Sequence, residues 1–181
     1  MTVESSIKIR SLNHHLYRTE DMEATRVFYE DLLELPLVGI YIEDFDVETK
    51  KPSDYIHAMF RMADGGCLAF FQFRKGMKEP SRCAGKRSPF EHHISLNVDN
   101  DDVINMFEER LKRAGTETFR VDHGYLHSLY SWDPNGMIVE LSASTPVTVS
   151  VEAERRVSAH DDLRRWLAGA SDTNNPHRAR V

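Results

Sequence analysis

The chain has 181 residues, enough for one domain with a substantial core or for two small modules side by side. With 40% hydrophobic and 29% charged residues it has the composition of an ordinary soluble globular protein, and a formal charge of −6 excludes an electrostatic grip on nucleic acid or an acidic membrane surface. No apolar run reaches membrane length, the start Met-Thr-Val-Glu-Ser-Ser has no signal-peptide core, and Cys67 and Cys83 form neither a metal spacing nor a disulfide framework, so a cytoplasmic location is expected.

In chain order, residues 7–18 alternate as a strand and carry His14-His15. Asp21 can cap a helix over 22–33, with Ala24, Phe28 and Leu32 and the neighbouring Val27 and Leu33 as its apolar stripe. A strand is expected at 37–42 and a polar loop over 44–55. Strands at 56–62 and 67–73 follow, joined by the turn Ala63-Asp64-Gly65-Gly66. From Arg74 to Ser88 the chain has six basic residues, two glycines and one proline with almost no apolar content, which is the composition of a linker.

The second half begins with a strand over 90–98 that carries His92-His93. Asp99 or Asn100 can cap a helix over 102–114, ended by Gly115, and strands are expected at 117–121, 126–132 and 137–142. The last two are joined by Asp133-Pro134-Asn135-Gly136, where Pro presets one turn angle and Gly or Asn accepts a positive φ, so they form a hairpin. In the final strand Met137, Val139 and Leu141 fall on one face, with Ile138 and Glu140 on the other. A carboxylate thus projects from a strand that otherwise asks to be buried, and it needs a partner.

Both halves therefore show the order β-α-β-β-β, and an offset tests whether they repeat. Adding 79 carries His14 to His93, Asp21 to Asn100, Phe28 to Phe107 and Leu32 to Leu111. At the hairpins an offset of 70 carries Gly66 to Gly136 and Phe70 to Glu140, so one position is Phe in the first module and Glu in the second. His14, His93 and Glu140 stand at matched places, and two imidazoles with one carboxylate form a facial triad that leaves positions open on a divalent metal. Such ligands suit Fe(II) or Mn(II), and also accept Zn(II) or Ni(II). The fold class expected is α+β: two βαβββ modules in tandem, forming a curved mixed sheet around a metal cavity, with a C-terminal helical tail. Module one spans 7–74, the linker 75–88 and module two 89–145, making one domain over 1–145. The tail covers 146–181, helical over 154–170 with Val157, Leu163, Trp166 and Leu167 as a stripe to pack on the domain or on a partner subunit, and frayed over 171–181.

The repeat, His14 seven residues before Asp21, the run Phe28-Tyr29-Glu30-Asp31-Leu32-Leu33, and the ending Asp133-Pro134-Asn135-Gly136 with Glu140-Leu141 resemble the vicinal oxygen chelate superfamily. That group includes glyoxalase-like lyases, fosfomycin-resistance enzymes, epimerases and type I extradiol dioxygenases. The resemblance implies paired modules, a metal that chelates its substrate through adjacent oxygens, and His14 and His93 as the ligating member of each histidine pair. His15 and His92 should by alternation point away. Glyoxalase-type lyases usually add a glutamate from the last strand of the first module, where this chain offers Phe70. Extradiol dioxygenases use His, His and Glu, carry a tyrosine ten residues before the glutamate and often show Asp-His-Gly. Tyr130 is ten before Glu140, and Asp122-His123-Gly124 is present.

The resemblance thus implies an Fe(II)-dependent extradiol dioxygenase that cleaves a catechol-like aromatic substrate with O2. His123 and His127 are its candidate acid–base residues and Tyr130 its candidate hydrogen-bond donor. The alternatives are a glyoxalase-like lyase or isomerase, a metal-dependent transferase, or a resistance protein that binds a small molecule on the same fold. A homodimer is expected by analogy, with neither nucleic acid nor membrane as partner. His57, His160 and His177 stand in no motif.

Overall fold

The computed structural model describes residues 11–46, 50–76, 92–170 and 172–177. The chain divides into two compact units, 1–85 with the turn 134–136, and 86–133 with 137–181. The first contains β1 (His14–Arg18), α1 (Met22–Arg26) continuing as a π-helical segment (Val27–Leu32), β2 (Leu37–Asp46), β3 (Lys51–Arg61) and β4 (Cys67–Phe73). Its sheet has the order β1-β4-β3-β2, with β1 parallel to β4 and the other pairs antiparallel. The second contains β5 (His93–Val98), α2 (Asp101–Arg113), β6 (Thr118–Asp122), β7 (Leu126–Trp132) and β8 (Ile138–Ser144), followed by α3 (Thr148–Leu167). Its sheet repeats the topology as β5-β8-β7-β6, with β5 parallel to β8. Two βαβββ units in tandem with a C-terminal helix are what the repeat called for.

The two helices start alike. Asp21 Oδ1 accepts from the Ala24 N–H at 2.9 Å, and Asn100 Oδ1 accepts from the Val103 N–H at 3.1 Å, so a short polar side chain satisfies an orphan amide at both N-caps. In the first unit, Tyr29 buries its ring against Phe70 and Phe60, with centroids 4.9 and 5.8 Å away. The cross-strand pairs Tyr17↔Phe70↔Ala58 and Leu68↔Phe60 therefore mark the helix-covered face of the sheet, and His14, Ala69, Phe71 and His57 lie on the other. In the second unit α2 buries Ile104 and Leu111, while Arg120 on β6 donates to Glu108 at 2.8 Å and to Asn105 at 2.6 Å. Arg120, Leu129 and Leu141 thus share the face under α2, and His93 and Glu140 lie on the face away from it.

The expected elements need three corrections. The polar stretch over 44–55 is largely strand: β2 runs on to Asp46 and β3 begins at Lys51, because ladder hydrogen bonds hold an exposed hairpin extension together without apolar side chains. The helix over 22–33 widens at Val27, where Leu33 N–H reaches back five residues to Phe28 O at 3.1 Å. Phe28 and Leu33 of the expected stripe are buried, Tyr29 joins them, and Val27 is exposed instead. In α3, Thr148 and Val151 are buried, whereas Val157 is 86% and Trp166 68% exposed, so the expected stripe does not pack on this chain. Residues 7–10 of the first expected strand, 47–49 of the expected loop, 77–88 of the linker, 90–91 of the expected strand over 90–98, and 171 and 178–181 of the tail lie outside the described residues. Among the described residues no helix is long and apolar enough to cross a membrane.

Candidate metal centre

The hairpin β7–β8 builds the centre. Its turn is closed by Asp133, whose N–H donates to Met137 O at 2.8 Å and whose Oδ1 accepts from the Met137 N–H at 2.9 Å, while Gly136 takes the positive φ of 79°. That turn fixes the pairs Trp132↔Ile138, Tyr130↔Glu140 and Ser128↔Ser142. On the far side of β8, β5 supplies His93↔Ile138 and Ser95↔Glu140. His93, Ser95, Tyr130, Ser128, Glu140 and Ser142 therefore share the helix-free face.

The same register corrects the alignment of the two modules. His14 opens β1 opposite Cys67, the first residue of β4, as His93 opens β5 opposite Ile138, the first residue of β8. The hairpin offset is thus 71, from Cys67 to Ile138, and the counterpart of Gly136 is Gly65, which also has a positive φ, 90°. The counterpart of Glu140 is Ala69. Phe70 points the other way, into the core beneath α1. The first module offers no carboxylate at the matched position, as expected, but the residue there is Ala69.

Glu140 is 6% exposed. Its Oε1 accepts from the Ser142 hydroxyl at 3.0 Å, and its Oε2 stands 3.3 Å from His93 Nε2. Ser142 is itself steadied by hydroxyl contacts with Ser95 at 2.8 Å and Ser128 at 3.3 Å. Burial pushes the Glu140 carboxyl up, but hydrogen bonds from Ser128, Ser142 and Tyr130 and the nearby His93 outweigh it, and the group ends below its ordinary range. It is an anchored carboxylate with one oxygen turned toward an imidazole nitrogen. Two ligands at about 2.0–2.2 Å from one ion and at right angles lie about 3 Å apart, so the His93–Glu140 spacing suits neighbouring positions on a metal. Among the described residues, no group of three or more His, Cys, Asp and Glu side chains stands close enough to hold a metal ion. His14 belongs to the first unit, where its Nδ1 lies 2.7 Å from Asn13 Oδ1.

Tyr130 is buried across from Glu140, its ring stacked on Phe119 with centroids 4.7 Å apart and planes within 7°. Burial first, and the Glu140 charge next, push its phenol up to about 12, so the hydroxyl keeps its proton across from the Glu140 carboxylate. His123 Nε2 lies 3.2 Å from the Tyr130 oxygen. Which atom donates there, the phenol O–H or an Nε2–H, follows the tautomer of the His123 ring. His123, Tyr130, Glu140 and His93 form one chain of polar contacts.

His127 does not join them. It pairs with Ala143, faces α2, and sets Nδ1 2.9 Å from Asp101 and Nε2 3.7 Å from Asp122. Its alternation puts it out of phase with Tyr130, and the candidate acid–base role falls to His123 alone. His15 turns away from His14 and packs edge-on against Tyr17, 4.4 Å between centroids, as alternation required. Ser128 and Ser142 escaped sequence reasoning, although the hairpin rule that sets Tyr130 across from Glu140 also sets Ser128 across from Ser142. His57 was also missed. It shares His14's sheet face with ring centroids 5.7 Å apart, and its Nε2 is buried without a hydrogen-bond partner among the described residues. Burial, with His14 second, lowers its pKa.

Two βαβββ units in tandem, each with its first strand parallel to its last, define a class of proteins by fold. The chain belongs to the glyoxalase/bleomycin resistance protein/dioxygenase superfamily, whose family model matches residues 11–141. Among curated proteins none matches it in sequence. Solved structures with the same fold include a glyoxalase/dioxygenase from Nostoc punctiforme, at 19% identity over 75% of this chain and 92% of that one, with a TM-score of 0.55. The fosfomycin resistance protein FosX from Listeria monocytogenes matches at 20% identity over 78% and 98%, with a TM-score of 0.56. The trypanothione-dependent glyoxalase I of Leishmania major matches at 15% identity over 84% and 99%, with a TM-score of 0.59.

Proposed function

We propose that this protein is a metal-dependent extradiol-type dioxygenase that opens the ring of a catechol-like substrate with O2, using a divalent metal held by His14, His93 and Glu140. The observation that carries the proposal is the stack of His123, Tyr130 and Glu140: a proton donor and its reservoir stand directly beside the anchored carboxylate. Fe(II) bound there would supply Lewis acidity and the electronic path between a catecholate and O2, and Mn(II), Zn(II) or Ni(II) fit the same ligand types. His14 enters the triad through the repeat, since it holds in the first sheet the register position that His93 holds in the second.

The protein's own groups have separable tasks. Ser142 holds Glu140 Oε1 and so keeps Oε2 pointed at the metal position. Tyr130 stays a neutral phenol at working pH and acts as a hydrogen-bond donor at the site. A proton that leaves Tyr130 would be returned by His123 in its imidazolium form, which ends as neutral imidazole; its Nε2 lies 3.2 Å from the phenol oxygen, and that makes His123 the candidate general acid behind it. At the register position of Glu140 the first sheet offers Ala69 and no second carboxylate, which supports three protein ligands over the four of a glyoxalase-type site.

The test is oxygen uptake by anaerobically purified, Fe(II)-reconstituted protein over a panel of substituted catechols, with absorbance followed for a coloured ring-opened product. Uptake lost in Glu140→Ala supports the reading. Bound metal without uptake moves a lyase, isomerase or transferase ahead, and no bound metal moves a resistance protein that only binds its small molecule ahead. A homodimer in the cytoplasm completes the proposal, and light scattering on a sizing column checks the assembly.

A further inference from the structure

His123 sits on a loop, not on a strand, and its aim depends on what holds that loop. Three consecutive carbonyls there, those of His123, Gly124 and Tyr125, are all taken by groups downstream of β8. Asn175 Nδ2 donates to His123 O at 3.3 Å, Thr145 Oγ1 donates to Gly124 O at 3.2 Å, and the Thr148 hydroxyl at the start of α3 donates to Tyr125 O. Gly124 has a φ of 81°, and the space a Cβ would fill there is occupied by the backbone carbonyl of His177, so only glycine admits the segment.

The segment 172–177 is itself anchored. The Arg155 guanidinium of α3 donates to Asn174 O, and Asn175 Oδ1 accepts from the His177 N–H at 3.2 Å. Asn175 is thus a two-way tie: its oxygen folds the segment, and its nitrogen holds the loop. The family model matches residues 11–141, and all of these groups lie after it.

We infer that the C-terminal segment 172–177 is a brace that sets the His123 imidazole against Tyr130, with Asn175 as its positioning residue. The functional side of this rests on the dioxygenase reading, whereas the placement of His123 does not. With the His123 carbonyl pinned, the ring has only its own two torsions to wander through. Without the tie, the loop turns the ring off the Tyr130 oxygen.

The experiment uses the full chain, metal-free, with ¹⁵N-labelled histidine. Asn175→Asp keeps the acceptor for the His177 N–H and deletes the donor to His123; Asn175→Ala deletes both. In the wild type the His123 ring should show one dominant tautomer and a Tyr130 contact in nuclear Overhauser spectra. In both variants these signatures should be lost or averaged, with the His93 and His127 signals unchanged. His123 signals that superimpose on the wild type in both variants overturn the inference, as does an equal disturbance of all three histidines. If catechols are turned over, kcat should fall by about 10- to 100-fold with KM nearly unchanged. Failure of every catechol condemns the dioxygenase reading and leaves the spectra to decide the brace.

Discussion

Tyr130 on β7 stands directly across from Glu140 on β8, and the Glu140 charge bears on its phenol. The ten-residue spacing between them is the spacing this hairpin turn imposes on a cross-strand pair. A buried phenol beside a buried carboxylate resists ionisation, hence its rise to about 12. The folded state therefore holds this proton more tightly than the unfolded chain does. Its contribution to stability is complete below the ordinary tyrosine value of about 10 and is lost as pH rises from there toward about 12. Tyr130→Phe should flatten that alkaline loss in pH-dependent melts. It should also lower turnover by about 100-fold without altering metal content.

Glu140 is held at both oxygens, by Ser142 on one and facing His93 with the other. Glu140→Ala and His93→Ala should each abolish retention of one metal per chain, read by elemental analysis, with far-ultraviolet circular dichroism unchanged. Ser142→Ala removes only the anchor, and should weaken metal affinity by about 10- to 100-fold. In the apo protein the Glu140 carboxyl lies below its ordinary range, so its contribution to stability is present above about pH 4.5 and is lost as pH falls further. Glu140→Gln should lack that acid limb. An unchanged metal stoichiometry in Glu140→Ala would show that the ligand assignment is wrong.

Most of the architecture was legible because it rests on local signals that occur twice. Polar N-caps 79 residues apart, glycine turns and alternating strands placed both modules. What escaped required knowledge of register or of tertiary contact. Gly66 was matched to Gly136 because both are glycine, and only the positive φ of Gly65 identifies the true counterpart and moves the partner of Glu140 from Phe70 to Ala69. The β2–β3 extension is strand because of its ladder, and no apolar alternation announces it. The tie from Asn175 to His123 spans 52 residues, beyond any local pattern.

The shift from Phe70 to Ala69 has its own consequence. Phe70 is fully buried among Tyr29, Phe60 and Tyr17, on the face under the helix. Phe70→Ala should therefore cost about 3–5 kcal/mol in chemical denaturation, as loss of a core aromatic does. Metal binding by the protein that stays folded should be unchanged. A variant with wild-type stability but weakened metal binding would return Phe70 to the site.

His127 and His123 offer the sharpest contrast, because both were candidates and only four residues separate them. His127 turns toward α2 and meets Asp101 in a contact that is half-exposed, so its loss should cost no more than about 1 kcal/mol of stability. His127→Ala should keep turnover within about twofold, since the side chain lies on the far face of the sheet from Glu140. His123→Ala should instead lose about 100- to 10,000-fold in kcat, the range of a general acid, with stability little changed. Equal losses from both substitutions would mean that activity does not run along the helix-free face, and the chain of contacts from His123 through Tyr130 to Glu140 would then have no part in it.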